Sequence, residues 1–214
     1  MIYLGIDPSF TKTGVCILDT ETKHIKFVAI SPPGTNVNYK ATLDRSAHVA
    51  LNTIRHLDMK KDVRVVIEEP LVVSMMASRL GILSAIVVWS LAFIPSIKKM
   101  YSVVPNYVSN LNRKLAKELG LNKKKASQYT AAKALEYFEK EFGYTFEIHN
   151  DKVNKDGSMK SRVLSHDEAE SFLILITLLR YDGLLNESHI LQLCKINKKF
   201  KRIQEIHQFK GEID

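Results

Sequence analysis

Four acidic residues sit at the edges of apolar segments, where carboxylates can do chemistry. Asp7 closes the apolar run Ile2–Asp7, and Glu68 closes Val63–Glu68. Asp167 and Glu170 open the stretch SHDEAESFLILITLL. On a helix the last two are i,i+3 neighbours and share a face. Any one of these acids alone has a structural role open to it, as a solvated strand end, a turn cap or a complement to a helix dipole. Ser165 and Glu168 have the S-x-x-E spacing of a capping box, which accounts for Glu168. If the four met, they would repel and raise one another's pKa unless cations neutralised them. Hard oxygen donors of this kind suit Mg²⁺, with Mn²⁺ as an alternative. Two such ions about 4 Å apart can activate water and stabilise the leaving oxygen of a phosphodiester.

The elements that must position these acids are readable in outline. Ile2–Asp7, Gly14–Asp19 and His24–Ile30 are β-rich and separated by turn-like segments. Alternation along the first strand sends Asp7 the same way as Gly5 and Tyr3, opposite Leu4 and Ile6. Helical spacing of Leu43, Ala47, Ala50, Leu51 and Ile54 predicts a helix over Thr42–Leu57. Val63–Glu68 reads as a strand, Ser74–Ile94 as a long buried helix and Tyr101–Val104 as another strand. Further helices are expected over Val108–Glu118, Lys124–Phe142 and about His166–Tyr181, with an exposed loop over residues 150–165. This order predicts an α/β fold, a mixed sheet covered by helices, with carboxylates where open α/β sheets place ligand sites. The apolar positions after Asp182, among them Ile190, Phe200 and Ile206, predict one or two amphipathic helices.

Composition narrows the partners. The chain has 214 residues, 45% of them hydrophobic, enough for one domain with an elaborated tail. Lys and Arg outnumber Asp and Glu by 31 to 23, a net charge of +8 that favours a polyanionic partner. Cys16 and Cys194 lack CxxC spacing, which argues against a disulfide framework or a zinc site and fits a reducing compartment. The N-terminus MIYLGIDPSF has no basic leader, and the apolar stretch Leu80–Ile94 falls short of a membrane span, so a soluble intracellular protein is expected. Lysines and arginines cluster at Arg113, Lys114 and Lys117, at Lys123, Lys124 and Lys125, around Lys160, and in the tail. Each cluster taken alone is more often a solvated helix face than a set of phosphate contacts.

The ordered set GIDPSFTKTGVCILD (Gly5–Asp19), VVIEEP (Val65–Pro70) and HDEAESFLILI (His166–Ile176) resembles the three active-site motifs of the RuvC family of Holliday junction resolvases. The resemblance spans roughly residues 1–182, and the chain's length and lysine-rich insertion look more like the phage-encoded relatives. It implies an RNase H-like mixed five-stranded sheet flanked by helices, a nuclease domain over residues 1–182, and a C-terminal helical extension over 183–214. It further implies a Mg²⁺-dependent endodeoxyribonuclease with two ions per site, acting as a homodimer on four-way DNA junctions, in a bacterial cytoplasm. Position by position, it makes Asp7, Glu68, Asp167 and Glu170 the metal ligands and catalytic acids, with His166 as an assisting residue. Glu170 stands where many relatives carry Asp. Glu69 is expected in an outer or exposed position, and Leu71–Gly81 matches the loop that approaches the junction, here without an aromatic residue. The Ser74–Ile94 segment matches the family's dimer helix, and KKKASQ matches a region with a phosphate-contacting lysine. Lys114, Lys123, Lys124, Lys125 and Lys160 are the DNA-binding candidates.

Rival readings remain at the level of sequence. The GIDxS-type hairpin also begins ATP-binding proteins of the actin and sugar-kinase superfamily, which generally need a second related half that this chain lacks. A non-cleaving branched-DNA-binding module and a broader nuclease acting on flaps and forks are the others.

Overall fold

The computed structural model describes residues 1–32, 39–70, 75–104, 123–147, 164–185 and 203–206, with 75–77, 123–126, 129, 133 and 203–206 described by backbone alone. The chain opens with β1 (Ile2–Asp7), β2 (Thr13–Asp19) and β3 (His24–Ile30), followed by helix α1 (Tyr39–Arg55) and β4 (Val63–Glu68). Helix α2 (Met75–Ala92), β5 (Ile97–Val103), helix α3 (Lys123–Phe142) and β6 (Thr145–Glu147) come next. Helix α4 (His166–Tyr181) and β7 (Ile203–Ile206) complete it.

The sheet order is β6-β3-β2-β1-β4-β5-β7. β1, β2 and β3 form an antiparallel meander, and β4 and β5 join β1 in parallel. This arrangement, with helices on both faces, is the RNase H-like fold expected from the sequence. The five expected strands form the centre. β6 and β7 extend it to seven, β6 parallel to β3 and β7 antiparallel to β5. Ile203–Ile206 falls in the segment expected to be helical and is a strand instead. Its period-2 pairing satisfies the backbone groups that β5 would otherwise present at an open edge.

Two apolar layers hold the helices on. Ile2, Leu4 and Ile6 point to the face covered by α1 and α2, packing with Val49, Leu83, Val87 and Leu91. Tyr3, Cys16, Phe27 and Val66 point to the other face, where α3 and α4 supply Ala131, Phe138, Phe172 and Leu175. Phe172 meets Phe27 and Phe138 edge-on at 5.7 and 5.6 Å, joining strand, α3 and α4 in one aromatic contact set.

The helices depart from the expected pattern in phase more than in extent. α1 buries Thr42, Ser46, Val49, Ala50 and Thr53, while Ala47 and Leu51 are exposed. Polar residues can face the core here because their hydroxyls bond within the helix, Ser46 Oγ to the Thr42 carbonyl at 2.7 Å and Thr53 Oγ1 to Val49 at 2.9 Å. α2 buries only one stripe, and Trp89 on its outer side and Phe93 just after it are 70% and 67% exposed. β5 starts earlier than expected because the exposed Lys98 and Lys99 interrupt its apolar pattern. Among the described residues no helix is long and apolar enough to cross a membrane.

An ionic clip fixes the register of the central strands. Lys61, just before β4, donates to Asp19 at the end of β2 at 2.6 Å and reaches Glu21 at 3.2 Å. The N-terminal ammonium holds the same Glu21 at 2.6 Å. Burial alone would raise the Asp19 pKa, but hydrogen bonds from Lys61 and the Glu21 amide outweigh it and bring it down to about 2. A carboxylate with a depressed folded pKa stabilises above its unfolded value and loses that contribution as pH falls through the folded one. Asp19→Asn is therefore expected to cost up to about 1 kcal/mol at neutral pH, in the range for partly exposed pairs. In urea unfolding, the gap to wild type should narrow as pH drops from about 4 toward about 2.

Candidate active site

The site is built at the carboxyl ends of β1 and β4. These strands are parallel and in register through Ile6 opposite Ile67, so the next positions are Asp7 and Glu68. Adjacent strands lie about 4.8 Å apart, which makes these two acids neighbours by backbone placement. Asp7 alternates with Gly5 and Tyr3, and Glu68 with Val66, so both belong to the face that α3 and α4 cover.

Helix α4 delivers the other pair to the same end. Across the meander, Asp7 pairs with Gly14. A Cβ on Gly14 would lie 2.0 Å from the Asp167 carbonyl oxygen, so the first turn of α4 rests directly on the β2 backbone. Further along, a Cβ on Gly5 would lie 2.4 Å from the Ser171 oxygen and 2.8 Å from Leu175 Cβ. Two bare glycines thus let the helix descend onto the sheet with its N-terminus over the Asp7–Glu68 end. The positive end of its dipole faces the acids there.

The expected capping box is present. The Glu168 amide donates to Ser165 Oγ at 3.3 Å, and Glu168 Oε2 accepts from the Ser165 amide at 2.7 Å. Glu168 is fully buried. Beside it the Cys16 thiol is buried, and burial, with the nearby Glu168 charge, pushes its pKa well up. Such a thiol stays protonated and unreactive.

Asp167 and Glu170 separate in their partners. Asp167 follows the sheet-facing line of the helix, in step with Ser171 and Leu175, and remains half-buried. Glu170 is buried and turned toward α3, where Ser127 Oγ donates to its Oε1 at 2.5 Å. His166 Nδ1 lies 3.7 Å from the same oxygen, beyond hydrogen-bond reach. Glu69, beside Glu68, is half-exposed and points its bonds at β5. Its Oε1 accepts from Ser102 Oγ at 2.5 Å and its amide donates to the Val103 carbonyl at 2.9 Å, so it is tied to β5.

Asp7, Glu68, Asp167 and Glu170 are therefore assembled at one end of the sheet by their backbones. Their side chains are not drawn together: among the described residues no three His, Cys, Asp or Glu form a group that could hold a metal ion. The donor set is all hard oxygen, which fits Mg²⁺ or Mn²⁺ and disfavours softer metals.

Of the basic candidates, Lys123, Lys124 and Lys125 form the first turn of α3, whose next turn carries Ser127. Lys114 and Lys160, the expected helix Val108–Glu118 and most of the exposed loop lie outside the described residues, as does the start of the Leu71–Gly81 segment. Sequence reasoning passed over Gly14 and Ser127. Gly14 lies inside the first motif, and only its contact with α4 distinguishes it from an ordinary strand glycine.

Solved structures of RuvC are similar to this chain in fold. The structure of T. thermophilus RuvC in complex with Holliday junction substrate is 15% identical to this chain, covers 86% of it and 96% of its own, and has a TM-score of 0.47. The Thermus thermophilus RuvC structure is 17% identical with the same coverages and a TM-score of 0.48. No family model matches the chain, and no curated protein does.

The helix-on-glycine contact makes a sharp prediction. Gly14→Ala sets a methyl against helix backbone that cannot rotate away, and should destabilise the protein by about 1–3 kcal/mol or more. Gly81→Ala on α2, where the nearest atom to a new Cβ is Pro70 Cγ at 4.0 Å, should be neutral or stabilising by roughly 0.5–1 kcal/mol. Chemical denaturation of the two variants beside wild type checks both.

Proposed function

We propose that this protein is a metal-dependent endodeoxyribonuclease that resolves four-way DNA junctions by paired nicks. The observation that carries the reading is the meeting of Asp7 and Glu68 on adjacent parallel strand ends with the α4 N-terminus seated on Gly14. The ordered resemblance to RuvC motifs supplies the substrate, and the net charge of +8 supports a polyanion.

Asp7, Glu68 and Asp167 would hold the divalent ions, with Glu170 contributing from the α3 side and His166 beside it. When bound, such ions supply an activated water and neutralise charge on the leaving oxygen. The chain's own residues do the rest. The strand ends fix the direction from which the carboxylates approach, and the helix dipole moderates their repulsion. Lys123–Lys125, on the helix that meets Glu170, would hold backbone phosphates and orient the strand without reading sequence.

A homodimer belongs to the same proposal, because a two-fold axis puts one site on each of two opposed strands. The exposed Trp89 on α2 and Phe93 just after it, ring centroids 5.2 Å apart, support the end of that helix as the contact, since aromatic residues are enriched at interfaces.

A nicking assay on labelled four-way junctions and linear duplex tests the reading. Wild type should cut the junction symmetrically in Mg²⁺ and bind it without cutting in Ca²⁺. Asp7→Asn should retain binding and lose nicking by at least about 10³-fold, the scale of losing an essential catalytic group. Junction binding with no nicking in any metal would favour the non-cleaving module, and absence of DNA binding would favour the ATP-binding alternative. For the lysines, replacing Lys123, Lys124 and Lys125 with Ala should weaken binding and lower the slope of log K against log salt by about 0.9 for each phosphate no longer neutralised. An unchanged slope would remove them from the interface.

A further inference from the structure

The contact between α3 and α4 has a feature that the proposed chemistry does not itself require. Glu170 is only 8% exposed, and its Oε1 accepts a hydrogen bond from Ser127 Oγ, a hydroxyl with no solvent exposure at all. A buried carboxylate is stabilised by such a donor, because a charge away from water is costly to leave unsatisfied. The neighbouring His166 does not substitute: its Nδ1 is buried, makes no hydrogen bond and stands 3.7 Å from the same oxygen. Glu170 also has a longer reach than Asp167 and one more rotatable bond to order. Ser127, on α3, is a partner outside its own helix that helps to set its position.

Resting on the metal-nuclease reading, we infer that Ser127 is a positioning residue for the active site: its hydroxyl fixes the Glu170 carboxylate through Oε1 at the N-terminal end of α4. Ser127 touches neither substrate nor ion in this role. Because it stands one turn after Lys123–Lys125, the same α3 segment would set both the phosphate contacts and the reach of the fourth acid. Groups that orient ligands in this way typically change metal affinity by 10–100-fold when removed.

The test is Mn²⁺ binding to the full-length protein without DNA, by calorimetry, for wild type, Ser127→Ala, Ser127→Thr, Glu170→Gln and Ser127→Ala/Glu170→Gln, each with its urea midpoint. Ser127→Ala should bind Mn²⁺ about 10-fold or more weakly, and Ser127→Thr, which keeps the hydroxyl, should recover most of the loss. The double variant should bind no more weakly than Glu170→Gln alone, since both changes break one link. Wild-type affinity in Ser127→Ala, or losses that add in the double variant, would overturn the proposal while leaving the metal reading intact. A loss in Ser127→Ala matched by unfolding and not rescued by Thr would also overturn it, as a packing effect. Absence of Mn²⁺ binding in wild type would overturn the metal reading and this inference with it.

Discussion

Everything at the candidate site depends on how closely α4 can approach the sheet. A helix normally rides about 10 Å above a sheet on interleaved side chains. Here Gly14 and Gly5 remove those side chains along one line, and the helix backbone at Asp167 and Ser171 settles onto the strands themselves. Without that descent, Asp167 would stand a side chain's height above the Asp7–Glu68 pair. The contact cannot be supplied by a small residue such as alanine, since even one methyl meets backbone atoms at 2.0–2.4 Å. Stability and site geometry are therefore fixed by the same two positions.

The register of β4 against β1 is the second constraint, and it is set at the opposite end of the sheet. The clip of Met1, Asp19, Glu21 and Lys61 aligns β4 so that Ile2 faces Val63. Counting along the strands from there brings Asp7 beside Glu68. A slip of one residue would turn Glu68 onto the face of Leu4 and Ile6, under α1 and α2, where an unpaired carboxylate has no place. Arg64 and Asp182 make a second ion pair between β4 and the end of α4. Burial, helped by the Asp182 charge, pushes the neighbouring Tyr3 hydroxyl up to about 12, so it stays neutral within the core. Charge pairs at the far end thus hold a geometry expressed at the acidic end.

Much of this was legible in the sequence because it rests on short-range pattern. The strands Ile2–Asp7 and Val63–Glu68 announce themselves by apolar runs ending in an acid, and Ser165 and Glu168 announce the start of α4 by their spacing. What failed to show is long-range. The exposure of Leu51 on α1 is set by which side of the helix the sheet and α2 cover, a side that Val49 and Ala50 face, with the Ser46 and Thr53 hydroxyls then satisfied within the helix. β7 and β6 are three or four residues each and exist only because an edge was there to accept them. Ser127 is one serine among lysines until α3 is packed against α4. Glu170 illustrates the same limit: i,i+3 spacing puts it near Asp167, yet its carboxylate direction is decided by a residue 43 positions earlier in the chain.

The electrostatics explain why a basic protein would concentrate acids at one point. A phosphodiester approaching Asp7, Glu68, Asp167 and Glu170 meets like charge, so neither substrate nor site is stable there without positive charge between and around them. Three sources surround the acids in this fold: the α4 dipole pointing its positive end at them, the Lys123–Lys125 turn at the head of α3, and the overall excess of eight positive charges. The dipole and the lysines belong to the chain and would, on the proposed reading, help to hold a polyanion nearby. On the same reading a small multivalent cation would occupy the gap between phosphate and carboxylate, and the same acids that would repel DNA would, once bridged, orient it.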